Sequence, residues 1–242
     1  MIDEYRTAGE FLDILSRDAW AALRQPVITA LRGMDPAAGP LVDLGAGGGR
    51  GTLLLAELAP SATVLAVEPS LVQRAVLFSR LIDDPALADR VSVAAEPAET
   101  APLPHAVGGV LAMNMIGHLR PDDRRQLWRR LADRMGSQVP LVVNLQPPSR
   151  AEAVPDADFA AVRIGSCTYE GGGRAEPAGA DIVTWHMRYG VRDPKGDLIR
   201  QVTAAYRWHV LDEQALIAEL DAVGLVTQPC GLGVYRATRA TG

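Results

Sequence analysis

Apolar and polar positions follow two rhythms along this chain. From Tyr5 to about Arg32, Leu12, Leu15, Trp20, Leu23, Val27 and Leu31 recur mostly every three to four residues, with charges between them. That spacing predicts helix, and Pro26 predicts a break into two helices. Short apolar runs then alternate with helical stretches. Residues 41–44, 63–68, 91–95, 107–113 and 140–145 read as strands. Residues 71–82 and 120–135 read as helices, the second with Pro121 near its first turn and Gly136 after its end. Strands alternating with helices predict an α/β domain with a mainly parallel sheet.

The last third changes rhythm. Residues 181–191 and 197–210 alternate and are joined by a short turn, which predicts a long antiparallel hairpin. With Arg192 opposite Asp197, Met187 faces Val202 and Trp185 faces Ala204. Trp185, Met187, Tyr189, Tyr206 and Trp208 then share one face, read as core or as an apolar substrate pocket. His186, Arg188, Arg207 and His209 share the other, which faces solvent, a partner subunit or a substrate. Residues 171–179, beginning with three glycines, read as a flexible loop, 213–223 as a helix and 231–237 as a final strand.

With 242 residues, 48% of them hydrophobic, the chain suits one domain over 1–242. Within it, 1–38 are N-terminal helices, 39–146 a ligand-binding core, and 147–242 the hairpin and a sheet-completing part. The net charge of -5 gives no electrostatic case for nucleic acid or an anionic membrane. No apolar run has the length of a membrane span, and the charged N-terminus has no signal-peptide core, so a cytoplasmic location is expected. Cys167 and Cys230 make no zinc site alone, and no His, Cys, Asp or Glu cluster has metal-ligand spacing, so no metal is expected. Lys195 is the single lysine and sits in a turn, which argues against Schiff-base chemistry. The arginine and alanine bias points to a GC-rich bacterial source.

The chemistry centres on Leu41-Val42-Asp43-Leu44-Gly45-Ala46-Gly47-Gly48-Gly49-Arg50-Gly51-Thr52. This is a strand, a glycine turn and the start of a helix, whose free N–H groups and dipole suit a ligand. Glu68 ends the next strand, where an acid can accept bonds from both ribose hydroxyls. A nicotinamide dinucleotide and S-adenosylmethionine (SAM) both fit so far. Asp43, two residues before Gly45, would repel a pyrophosphate and suit the cationic methionine tail of SAM. The spacing Gly45, Gly47, Gly49, Gly51 also departs from the dinucleotide pattern.

Residues 40 to 146 resemble a class I SAM-dependent methyltransferase of the small-molecule type. Val42 to Gly49 resembles the family's first motif, and Val67-Glu68-Pro69-Ser70 its second. Met113-Asn114-Met115-Ile116-Gly117-His118-Leu119 resembles the end of its fourth strand. The resemblance implies a Rossmann-like, seven-stranded, mainly parallel sheet with helices on both faces, the last strand antiparallel. To this the sequence adds an N-terminal helical lid and the late hairpin. It implies SAM as cofactor, S-adenosylhomocysteine as product, and a small-molecule methyl acceptor. Asp43, Gly45, Ala46, Gly47, Gly49, Glu68, Pro69, Glu96, Ala98, Asn114 and Met115 are the implied cofactor residues. Pro97 stands where the family often has an acid for the adenine amino group, so Glu96, Glu99 or the backbone takes that role. Gly108 stands where the fourth strand often begins with Asp.

His118, near the expected methyl group, is the candidate general base. Tyr5, His186 and Tyr206 are candidate acceptor-binding residues, and the hairpin is a candidate homodimer contact. The reading is methyl transfer to an O, N or C atom of a small molecule in bacterial secondary metabolism. The alternatives are an NAD(P)-dependent oxidoreductase, against which the lack of a Tyr-x-x-x-Lys pair counts, and a catalytically inactive SAM-binding partner protein.

Overall fold

The computed structural model describes residue 3 and residues 5–240. Met1, Ile2, Glu4, Thr241 and Gly242, which the 1–242 domain includes, lie outside the described residues. The elements run α1 (Gly9–Ala30), β1 (Leu41–Leu44), α2 (Arg50–Leu58), β2 (Val64–Val67), α3 (Leu71–Ile82), α4 (Pro85–Ala88), β3 (Val91–Ala94) and β4 (Gly109–Ala112). A 3-10 turn (Ile116–His118) leads to α5 (Pro121–Ala132) and β5 (Leu141–Asn144). Then come β6 (Val154–Ile164), β7 (Cys167–Pro177), β8 (Ile182–Arg192), β9 (Leu198–His209), α6 (Glu213–Asp221), β10 (Leu225–Gly231) and β11 (Val234–Arg239).

The main sheet has seven strands in the order β10-β11-β5-β4-β1-β2-β3. Strands β1 to β5 are parallel, and β11 runs antiparallel to both β5 and β10. The chain leaves β1 towards β2 and β3, then returns to β4 on β1's other side. Ligands of such sheets bind at that reversal, beyond the carboxyl ends of the strands. Strands β1, β4 and β5 are buried along their whole length, which requires near-continuous apolar runs such as Leu141-Val142-Val143. Trp128, Leu127, Leu131 and Leu216 from α5 and α6 cover one face of the sheet. Val27, Ala30, Leu54, Leu55 and Leu77 from α1, α2 and α3 cover the other.

Three expectations are corrected. First, Pro26 does not divide the N-terminal segment: α1 is one helix and begins at Gly9. Proline removes one helical hydrogen bond, but Val27, Ala30 and Leu31 just beyond it are buried in the core, and that packing carries the helix through. Second, the expected hairpin is part of a four-stranded antiparallel sheet, β6-β7-β8-β9. Gly171, Gly172 and Gly173 lie within β7, paired with Tyr189, Arg188 and Met187. They read as a loop by composition, yet the strand needs them small. A side chain at Gly171 would meet Phe159 and Leu15, and one at Gly172 would meet the Arg188 guanidinium. Third, the β8–β9 register is shifted by two residues, with Met187 opposite Ala204 and Trp185 opposite Tyr206, and a bulge lies between Val191 and Arg192. An even shift leaves every side chain on its expected face. The basic positions of α5 are not uniformly solvated either. Arg124 is buried and forks onto Glu219 of α6 at 2.9 and 2.7 Å, while Trp128 Nε1 donates to the same carboxylate at 3.0 Å. Arg130 reaches the carbonyls of Glu99 and Ala101.

Candidate active site

The glycine loop joins β1 to α2 with Gly45, Gly47 and Gly49 at φ of 68°, 55° and 92°. These are left-handed conformations that a side chain disfavours, and at Gly45 a Cβ would also press into Met115. The Gly45 and Ala46 N–H groups both donate to the Val67 carbonyl at 2.9 and 3.0 Å, tying the loop to the end of β2. A cavity of about 1420 Å³ opens over this loop. Gly45, Ala46, Gly47, Glu68, Pro69, Ala98, Asn114 and Met115 all line it.

Glu68 is fixed by two backbone donors. Its Oε2 accepts from Gly47 N–H at 2.7 Å and its Oε1 from Ser70 N–H at 2.7 Å. Burial pushes its pKa up, and these two N–H groups pull it back towards the charged form. Asn114 follows β4 at φ 56°, an uncommon conformation for a residue with a side chain. Asn144 at the end of β5 holds it: Oδ1 accepts from Asn114 N–H at 2.6 Å, and Nδ2 donates to Asn114 Oδ1 at 2.7 Å. The sequence showed only that a polar residue ends that strand.

Three expected cofactor residues do not line the cavity. Asp43 is 2% exposed and lies beneath the loop, where Thr52 Oγ1 donates to its Oδ2 at 2.6 Å. Gly51, without a side chain, leaves it that space. Burial pushes the Asp43 pKa up to about 7, with the nearby charge of Glu68 adding to the shift. Gly49 turns towards Leu77 of α3. Glu96 is exposed outside the cavity, while Pro97, Ala98 and Glu99 line it.

An aromatic cluster drawn from three distant parts of the chain also borders the cavity. The Tyr5 hydroxyl lies 2.5 Å from His118 Nε2, and both residues line the cavity. The His118 ring stands edge-on to Trp208 with centroids 4.8 Å apart. Trp208 lies directly on Gly117, where no side chain would fit. Tyr206 packs behind Tyr5 at 5.3 Å between centroids and is itself 7% exposed, off the cavity wall. Burial lowers the His118 pKa to about 4, so its imidazole is neutral at pH 7. His186 is elsewhere. Strand alternation puts it on the opposite face from Trp185 and Met187, 3.5 Å from Glu176 and beside a separate cavity of about 520 Å³. His209 does line the main cavity, 3.4 Å from Asp181.

Two further features had no sequence signal. Asp13 of α1 pairs with Arg80 at 2.6 Å and Arg50 at 3.0 Å, and Arg80 also donates to the Gly48 carbonyl. These bonds lay the N-terminal helix across the glycine loop. Gln73, on α3, lines the cavity and is 7% exposed, and its Oε1 has no hydrogen-bond partner.

Residues 42–135 match the family model described as a methyltransferase domain. A search of curated protein sequences finds no match. Among solved structures, the chain is similar to DesVI of Streptomyces venezuelae, at 16% identity over 99% of this chain and 100% of that one, with a TM-score of 0.76. It is similar to CalS10, an amino pentose methyltransferase of Micromonospora echinaspora, at 20% identity over 91% and 92% of the two chains, with a TM-score of 0.72. It is also similar to KedS8, a sugar N-methyltransferase of a Streptoalloteichus species, at 18% identity over 93% of each chain, with a TM-score of 0.67. The glycine loop on the switch-point strand and the acid on the next strand both lie inside the matched stretch. Residues 42–135 match a methyltransferase-domain model, and the chain as a whole has the fold of these SAM-dependent methyltransferases.

Proposed function

We propose that this protein is a SAM-dependent methyltransferase acting on an amino nitrogen of a small, sugar-like molecule in bacterial secondary metabolism. The residues present fit the cofactor. A backbone-fixed carboxylate at Glu68 suits a ribose, the glycine loop leaves room for close approach, and Asn114 and Met115, which line the same cavity, are assigned to the methionine moiety. When bound, SAM supplies an electrophilic methyl group on a sulfonium.

The observation that carries the reading is the pairing of Tyr5 with His118 in the same cavity as the glycine loop. With its proton on Nδ1, the neutral imidazole accepts from the Tyr5 hydroxyl at Nε2. The phenol oxygen is thereby polarised, and its own lone pairs accept from an N–H of the acceptor. Such a contact orients the nucleophile, and orientation is the main demand of an in-line displacement. The burial that keeps His118 neutral also makes it a weak proton sink. This narrows its role from general base to hydrogen-bond acceptor, and suits an amine, which attacks as the free base. Oxygen and carbon nucleophiles need a stronger base than this. The sugar-type neighbours support the acceptor class, and no observation favours the oxidoreductase or the inactive partner.

The test is incubation with SAM and a panel of amino sugars beside their hydroxyl counterparts, read by mass spectrometry. N-methylated product from the amino member alone is expected. Methylation of the hydroxyl member alone, or tight NAD binding without SAM binding, overturns the reading.

A further inference from the structure

Gln73 is the polar side chain that the site leaves unexplained. It is 7% exposed and forms part of the cavity wall, yet its Oε1 is buried without a partner. A buried amide left unpaired is costly, and native structures seldom keep one without reason. Its backbone is already used: Gln73 N–H donates to Ser70 Oγ at 3.3 Å in the cap of α3. The rest of that cap is also closed. Asp3 Oδ2 accepts from Leu71 N–H at 2.9 Å and from Ser70 Oγ at 3.0 Å. The cap therefore does not call on the side-chain amide.

Helical side chains lean towards the helix N-terminus, so Gln73 leans towards Pro69 and Ser70, beside Glu68. One turn further along the same face, Leu77 abuts Gly49. The amide is thus bracketed by the Glu68 end of β2 and the glycine loop. Pro97 and Ala98 follow β3, on the far side of β2 from the loop. Each Glu68 oxygen already accepts one backbone N–H, which leaves one lone pair on each and lets a neighbouring acceptor share the diol. A second carboxylate at this place would repel Glu68, whereas an uncharged amide adds an acceptor without that penalty.

We propose that the side-chain amide of Gln73 is a cofactor-binding group that accepts a hydrogen bond from a ribose hydroxyl and shares the diol with Glu68. The assignment rests on the SAM reading above. Rotation about the last side-chain bond exchanges Oε1 and Nε2, so the acceptor can be presented without moving the helix.

Calorimetric titration of S-adenosylhomocysteine into the native chain and into Gln73→Met tests it, with thermal melting of both ligand-free proteins. Methionine keeps the volume and removes the hydrogen bond. The dissociation constant rises about tenfold in Gln73→Met. Of the analogues lacking the 2′ or the 3′ hydroxyl, one loses about tenfold on the native chain and nothing further on the variant. The analogue carrying hypoxanthine instead of adenine loses the same factor on both proteins. Ligand-free Gln73→Met melts at or above the native temperature, because an unpaired buried acceptor is gone. Unchanged affinity in Gln73→Met overturns the assignment, as does a loss that follows the base rather than the hydroxyl. A ligand-free variant that melts well below the native chain marks Gln73 as structural and also overturns it. Failure of the native chain to bind S-adenosylhomocysteine overturns the parent reading instead.

Discussion

Asn144 holds Asn114 in a left-handed backbone conformation through two reciprocal hydrogen bonds, one to its N–H and one to its side-chain carbonyl. The carboxyl ends of β4 and β5 are thereby locked together at the cavity wall. Replacing Asn144 with Leu strands both partners. A loss of roughly 1 to 3 kcal/mol in urea unfolding is expected, together with weaker S-adenosylhomocysteine binding in calorimetry. Asn144→Asp keeps the acceptor and loses the donor, so it falls between the two.

Asp43 ties stability to pH in the direction opposite to most carboxylates. Its folded pKa lies near 7, above the ordinary value of 3.8. Between those values the folded chain holds a proton that the unfolded chain has released, so this group's contribution falls as pH rises, and is fully lost above about pH 7. Asp43→Asn keeps an acceptor for Thr52 and removes the titration. Relative to the native chain, the variant gains stability progressively from about pH 4 to about pH 7, by a few kcal/mol, and the difference then stays level. Melting temperatures of both proteins across that range measure it. A constant difference at all pH values contradicts the placement of Asp43.

His118 makes a complementary prediction. Its folded pKa near 4 means that the rate profile shows no limb at the ordinary histidine value of 6.5. Its contribution to stability is lost as pH falls from 6.5 towards 4, because the unfolded chain takes up a proton first. His118→Phe removes the acceptor for Tyr5 and lowers kcat by about tenfold or more if the pair orients the nucleophile. Steady-state kinetics at pH 7 and 8 test this. An unchanged kcat excludes the pair from catalysis.

The Asp13 contacts with Arg50 and Arg80 latch α1 over the glycine loop. Asp13→Asn removes the charge from both ion pairs while keeping a side chain of similar shape. Faster release of S-adenosylhomocysteine is expected in stopped-flow measurements. Salt accelerates release from the native chain more than from the variant, since screening weakens only the charged latch.

The Arg124–Glu219 fork ties α5 to α6 in a buried setting, with 3% and 10% of the two side chains exposed. Arg124→Met alone leaves the Glu219 carboxylate without its main counter-charge and costs about 3 to 5 kcal/mol. The double variant Arg124→Met, Glu219→Met recovers much of that loss in chemical denaturation, because no lone charge remains.

The parallel strands and their helices were legible because their signals are local. Continuous apolar runs of four residues mark strands buried on both faces, and α3 spans Leu71–Ile82 as the sequence placed it. The loop and Glu68 were legible for the same reason: backbone freedom and an acid at a strand end depend on neighbouring residues. Strand β7 was not, since three glycines carry no periodicity and gain their meaning from Phe159, Leu15 and Arg188 packed against them. Strand β6 is mostly exposed, so it lacks a buried stripe that alternation could reveal.

By itself, then, the sequence determined the parallel α/β core, the nucleoside-type loop and the acid that answers it, because 3.6- and 2-residue periods and strand-end chemistry are written over a few consecutive positions. Tertiary structure decided the side of the loop on which Asp43 lies. It also decided that Tyr5 and His118, 113 residues apart, share a hydrogen bond, and that His186 belongs to a different surface. Those outcomes depend on which elements pack against one another and how much water they exclude. Burial that moves the pKa of Asp43 up and that of His118 down is a property of the assembled layers, which no window of the chain contains.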